Sequence, residues 1–169
     1  AGNRDIDAGL DDEQHAMAKL VGNTLSQSLF WSMLYNKFNT HRGRNVFRRQ
    51  LLHMKLFAPL RSVISAMAFR QMHAQLMGQG IARYPREQVL KRARDDVAAL
   101  SQILGSKPFI LGDTPSSTDA LLYAMLILLF EDHELQVDLS STKDMYPNLA
   151  AYVERMKKRY VSKLDKKEI

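Results

Sequence analysis

The chain has 169 residues and not one cysteine, which excludes a disulfide framework, a thiolate metal site and a cysteine nucleophile. That absence fits a reducing compartment. A membrane-spanning run is lacking too. The longest apolar stretch, Ala120 to Phe130, is about half of the roughly 20 residues that cross a bilayer, so it predicts a buried core helix and not an anchor. No charged-then-apolar signal peptide opens the chain, and no methionine stands first; the expectation is a processed chain or an excised piece with a segment upstream. Internal repeats, low-complexity tracts and linkers are missing, so a single domain over 1–169 is expected.

What is present is enough for one sizeable core, since 46% of the residues are hydrophobic. The net charge is +6, concentrated in Arg42, Arg44, Arg48 and Arg49 and in Lys157, Lys158, Arg159, Lys163, Lys166 and Lys167. Such patches attract polyanions without precise geometry, and binding of that kind would weaken steeply with salt. A solvated face is the simpler explanation, and nucleic acid is not the expected partner.

Apolar spacing predicts helices almost throughout. Asp11 and Gln14 form a capping pattern ahead of Leu25, Leu29, Met33, Leu34 and Phe38, the face of a first long helix ending near Asn39-Thr40. His41-Arg42-Gly43 reads as a breaker and loop. A stretch from Val46 to Phe57 follows, Pro59 kinks or restarts the chain, and Leu60, Val63, Ile64, Met67 and Ala68 resume the helical period as far as Gly78 or Gly80. Pro85 suits the first turn of the next helix, whose stripe is Val89, Ala93, Val97, Leu100 and Leu104 and whose stop is Gly105. Leu149, Tyr152, Val153, Met156 and Tyr160 mark a last helix after Pro147; only Gln136 to Leu139 has any strand character.

The most informative stretch is Leu104 to Asp119, LGSKPFILGDTPSSTD. It sets Ser116 as an N-cap, its hydroxyl accepting from the Asp119 amide while the Asp119 carboxylate accepts from the Ser116 amide, at the head of a run apolar all round apart from Tyr123. With Tyr146-Pro147-Asn148-Leu149, this stretch resembles the C-terminal helical domain of glutathione transferases, in which such a box starts the central buried helix. Gly80-Ile-Ala-Arg-Tyr-Pro-Arg-Glu-Gln-Val89, Asp96, Ala99-Leu100 and Lys107-Pro-Phe109 resemble most the failed axon connections and metaxin branch. Thr118 departs from the alanine common in the superfamily. The resemblance implies an all-α bundle around a central buried helix at about 120–131.

It also implies half of a site. In that superfamily a thioredoxin-like domain binds glutathione and activates its thiol, and nothing in these 169 residues reads as strand-helix-strand, so no catalytic residue is in view. No cofactor is expected on this domain alone; glutathione would be a co-substrate only with a thioredoxin-like partner domain. By the same resemblance, Phe30, Trp31, Leu34, Tyr35 and Phe38 are the candidates for a hydrophobic pocket wall, with core packing as the plainer reading. The expected occupant is an apolar electrophile or a partner protein, homodimerisation is possible, and the location is cytoplasmic or the cytosolic face of the mitochondrial outer membrane. No metal site is expected: His53 and His73 lack further ligands, and Glu131, Asp132, His133 and Glu134 lack the spacing. Tyr84, Tyr146 and Tyr160 have no activating neighbour in the sequence, and Ser26, Ser28 and Ser32 lack the turn of a serine nucleophile. On the cap alone, Asp119→Ala is expected to cost on the order of 1 kcal/mol, seen as a lower melting temperature.

Overall fold

The protein, seen in a computed structural model, is described over residues 5–52, 57–131, 139 and 142–161. Asp11 starts the chain's first helix as its spacing predicts: its carboxylate accepts from the Gln14 amide at 2.8 Å, and the Gln14 side chain accepts from the Asp11 amide at 3.0 Å. Helix α1 (Asp12–Asn23) then passes through a π-helical segment (Thr24–Leu29) into α2 (Phe30–Asn39). The widened turns have a local cause. Thr24, Ser26 and Ser32 donate their hydroxyls back to the carbonyls of Leu20, Gly22 and Ser28, a competition that loosens a helix.

The expected loop at His41-Arg42-Gly43 is instead the first turn of α3 (His41–Leu52). Thr40 makes the difference. Its backbone is extended, and its hydroxyl accepts from the Gly43 amide at 3.0 Å while donating to the Asn36 carbonyl at 2.6 Å. A Cβ on Gly43 would collide with the carbonyls of Asn36 and Lys37, so this glycine allows α3 to fold tightly against α2 and does not break the helix. The predicted stretch from Val46 to Phe57 therefore starts earlier, and its residues 53–56 lie outside the described ones.

Pro59 sits in the first turn of α4 (Ala58–Gln79), where its missing amide leaves no bond unmade. Gly80 ends that helix with φ of 98° and an amide bonded to Leu76. A short turn (Ile81–Arg83) leads to Pro85, which precedes α5 (Arg86–Leu104) as its cap position and is not within its first turn. Gly105 closes α5 at φ of 54°. After a loop come α6 (Ser117–Glu131), α7 (Thr142–Met145), α8 (Pro147–Met156) and a π turn (Lys157–Val161). The structure is all-α, with a lone bridge between Phe109 and Gly112 among the described residues. The strand character expected at Gln136 to Asp138 lies outside them, as does the chain from residue 162 on.

Two cores form. The larger joins Val21, Leu25 and Leu29 to the α5 stripe of Ala93, Val97, Leu100 and Leu104, to Leu122, Leu126 and Leu129 of α6, and to Leu149, Tyr152, Val153 and Met156 of α8. The smaller gathers Tyr35, Leu76, Ile81 and Val89, flanked by Trp31, Leu34, Phe38, Met72 and Ala82. Helix α6 is central, but its enclosure is incomplete: Leu121 and Leu128, seven residues apart on one face, are 39% and 53% exposed.

Asp119 organises the larger core. Its side chain has no exposed surface and accepts from the Ile110 amide at 2.8 Å, the Ser116 amide at 2.9 Å, the Ser116 hydroxyl at 2.7 Å and the Tyr152 phenol at 3.0 Å. The reciprocal half of the expected box does not form: the Ser116 hydroxyl donates to the carboxylate, and the Asp119 amide donates to the Ser116 carbonyl at 3.2 Å. A second cap arrives from afar, since Asp7 accepts from the Ser117 amide at 2.8 Å and from its hydroxyl. Those bonds hold the Asp7 carboxyl below its ordinary value of 3.8. Asn148 ties α8 to the end of α5: it accepts from the Ser101 hydroxyl at 2.8 Å and donates to the carbonyls of Ser101 and Gly105 at 2.9 and 3.3 Å.

Asp96, on the polar flank of α5, is the opposite case. Burial raises its carboxyl above the ordinary 3.8, partly offset by a hydrogen bond from Ser28 and the charge of Arg92, and its Oδ2 is buried without a hydrogen-bond partner.

Two stability predictions result. Asp119→Ala leaves several buried donors unsatisfied, so its cost rises from the cap value to about 3 kcal/mol or more, while Tyr152→Phe costs on the order of 1 kcal/mol; chemical denaturation of both variants checks the order, and a loss for Asp119→Ala no larger than for Tyr152→Phe would refute the network's weight. For Asp96 the folded-state pKa lies above the unfolded one. The native state therefore binds the proton more tightly, and stability is lost as pH rises from about the ordinary 3.8 through the raised value. Asp96→Asn is expected to raise the melting temperature at pH 7 and to lose that advantage as pH falls toward 3.8; melts across this range would contradict it by showing no gain at pH 7.

Candidate functional site

The five residues proposed for a pocket wall all lie on α2, but they do not share one environment. Tyr35 is buried at 7% exposure and Phe30 is 38% exposed; Trp31, Leu34 and Phe38 fall between. The structure brings Trp31, Leu34, Tyr35 and Phe38 together in the smaller core against Leu76, Ile81 and Val89. Phe38 also meets Phe47 at 5.2 Å and Phe69 at 6.2 Å between ring centres, which extends the packing onto α3 and α4. Phe30 turns outward and meets Trp31 edge-on at 5.9 Å. Although Trp31 and Tyr35 are one turn apart, it is Phe30 and the uncovered part of Trp31 that a ligand or neighbouring domain would touch.

Two adjoining clefts open elsewhere, at the corner where α4 turns into α5. The larger, of about 370 Å³, is lined by Gln79, Gly80, Ile81, Arg83, Tyr84 and Arg92. The smaller, of about 90 Å³, shares Ile81, Tyr84 and Arg92 and adds Gln88 and Val89. Arg92 lies over the Tyr84 ring at 5.6 Å and within the field of Asp96. Gln79 is fixed, accepting from the Ile81 amide at 3.1 Å and donating to the Gln27 carbonyl at 3.3 Å. The sequence marks none of these as site residues, although most fall within the Gly80 to Val89 run; the closing of the turn onto α5 is what groups Arg83 with Arg92. A third cleft of about 230 Å³ lies beside α1, between Asp11, Glu13, Gln14, Met17, Lys107, Ile110 and Leu111.

The basic segments are partly absorbed by aromatic rings. Arg48 lies over Phe69 at 5.4 Å, and Arg159 over Phe109 at 5.3 Å. Arg155 donates to the Pro108 carbonyl at 3.2 Å and flanks Tyr152. Burial and the neighbouring Asp119 push the Tyr152 phenol above its ordinary value of 10.0, which keeps it a donor. Ser26 and Ser32 spend their hydroxyls on backbone carbonyls and Ser28 faces Asp96. His73 lies 3.3 Å from Asn39, and among the described residues no acidic, histidine and cysteine side chains gather as for a metal; His53, Asp132, His133 and Glu134 lie outside them. Among the described residues no helix is long and apolar enough to cross a membrane.

Comparison with known proteins agrees with this architecture. A family model described as "Glutathione S-transferase, C-terminal domain" matches residues 93–156, from the α5 stripe to the last residue of α8. The chain is 31% identical over 157 residues to the isoprene-epoxide glutathione S-transferase of Rhodococcus sp. (strain AD45), covering 92% of this chain and 65% of that protein. It is 28% identical over 165 residues to Failed axon connections of Drosophila melanogaster, covering 90% of this chain and 39% of that protein. To Metaxin-2 of Homo sapiens it is 26% identical over 102 residues, covering 60% of this chain and 39% of that protein. The chain thus spans less than two thirds of each of these relatives. No solved structure matches it. On fold and likeness together, the chain is an all-α helical domain that resembles the C-terminal domain of glutathione S-transferases and is similar to the failed axon connections and metaxin branch.

Proposed function

We propose that this chain is the substrate-side helical domain of a glutathione S-transferase-like protein, with α2 supplying the wall of a cleft for an apolar electrophile. The observation that carries the reading is the Phe30–Trp31 edge on α2, an exposed aromatic surface backed by a packed core. Such backing holds the rings still, so little freedom is lost when a ligand meets them. The likeness to the isoprene-epoxide enzyme supports the same view. A thioredoxin-like domain of the same protein would bind glutathione and activate its thiol; the work of this domain would be orientation of the second substrate. Its location in this reading is the cytoplasm.

A second reading, a non-catalytic interaction module of the metaxin kind, is supported by α4. Phe57, Leu60, Val63 and Met67 are 76%, 46%, 54% and 67% exposed, a run of apolar surface suited to a second copy or a partner protein. In that reading the place of assembly would be the cytosolic face of the mitochondrial outer membrane.

Isothermal titration of glutathione and of S-hexylglutathione into the intact parent protein, beside this chain alone, separates the two. The transferase reading expects binding to the parent, loss of glutathione binding by the chain alone, and about tenfold weaker binding of the hexyl conjugate in Trp31→Ala. No binding to either form would favour the interaction module.

A further inference from the structure

The corner between α4 and α5 holds a cleft that the α2 wall does not use, and its chemistry is distinct. Two openings adjoin there, and their shared floor is apolar: Ile81, at 1% exposure, lines both, and Val89, at 2%, lines the smaller; both belong to the smaller core. The rim is cationic, with Arg83 and Arg92 lining the larger opening and Arg92 and Gln88 the smaller. No carboxylate lines either cleft, and among the described residues neither Arg83 nor Arg92 has an ion-pair partner within 4.0 Å. Arg92 does feel the field of Asp96, one turn along α5. The cleft is also held in shape. Gly80 turns the chain at φ of 98°, Gln79 is bonded on both sides, and Tyr84 holds the Arg92 guanidinium over its ring. The larger opening, about 370 Å³, is within the range of small-molecule sites, about 300–1,000 Å³.

We propose that this corner binds a small organic anion: an apolar or aromatic body seated over Ile81 and Val89, with an oxyanion group, phosphate or carboxylate, held by Arg83 and Arg92. Guanidinium groups present planar pairs of donors that match either oxyanion, and two of them on one rim hold it better than scattered surface charge does. Tyr84 acts as a positioning residue for Arg92. The proposal is independent of the α2 wall and of glutathione use.

The test is an NMR titration of the full chain, labelled with ¹⁵N, with phenyl phosphate, inorganic phosphate, phenylacetate and phenol at fixed ionic strength. The expected result is saturable shifts centred on residues 79–92, with phenyl phosphate or phenylacetate binding more tightly than inorganic phosphate, and phenol not at all. The preferred one of the two phenyl anions identifies the oxyanion. Arg83→Gln, an exposed substitution that leaves the core untouched, and Arg92→Gln are each expected to weaken that probe about tenfold or more. Arg44→Gln on α3 is the control and leaves the affinity unchanged. Three results would overturn the proposal: no saturable shift with either phenyl anion, shifts spread over all basic segments with Arg44→Gln as damaging as Arg83→Gln, or affinity unchanged in Arg83→Gln.

Discussion

A single buried carboxylate sets the arrangement of the larger core. Asp119 gathers the amides of Ile110 and Ser116, the Ser116 hydroxyl and the Tyr152 phenol around one side chain that water does not reach. The four donors come from three places: the loop before α6, the residue at the head of α6, which supplies two, and the middle of α8. A buried charge is tolerated only when such bonds replace its hydration, and here the replacement fixes where three chain segments meet. The apolar stripes of α5, α6 and α8 then have one relative placement to fill, and Asn148 repeats the device on a smaller scale at the end of α5.

Much of this architecture is legible in the sequence because the signals are local. The Asp11–Gln14 box, the glycine stops at Gly80 and Gly105, and the 3.6-residue stripe from Val89 to Leu104 act within one or two helical turns of themselves. Asp119 is recognisable as a helix-head residue for the same reason. Its reach to Tyr152, and that of Asp7 to Ser117, spans 33 and 110 residues and leaves no trace in spacing. The α3 start is a different case. Gly43 reads as a breaker by composition, yet its lack of a side chain is used for the contact of α3 with α2, and the Thr40 cap overrides its low helix propensity.

The candidate sites follow the same division. The aromatics of α2 stand out in the sequence, but which of them face inward depends on where α4 and α5 lie, and Tyr35 and Phe38 join the packing while Phe30 does not. The arginines at the α4–α5 corner are unremarkable in a chain with 24 basic residues, and only the turn at Gly80 brings Arg83 beside Arg92. Sequence periodicity gives the faces of helices; it does not give the concave places between them.

The π-helical segment lets one helix serve both cores. Val21, Leu25, Leu29 and Met33 recur every four residues along the larger core, and in a regular helix of 3.6 residues per turn that series would drift by about 40° at each step. Widened turns between Thr24 and Leu29 oppose the drift, so the series stays on one side while Trp31, Leu34 and Phe38 emerge on another. The chain's sole tryptophan consequently packs, half-buried, against the smaller core and not the larger. Its emission is a direct optical probe of that half of the molecule and responds to the half built around Asp119 only through the helix they share.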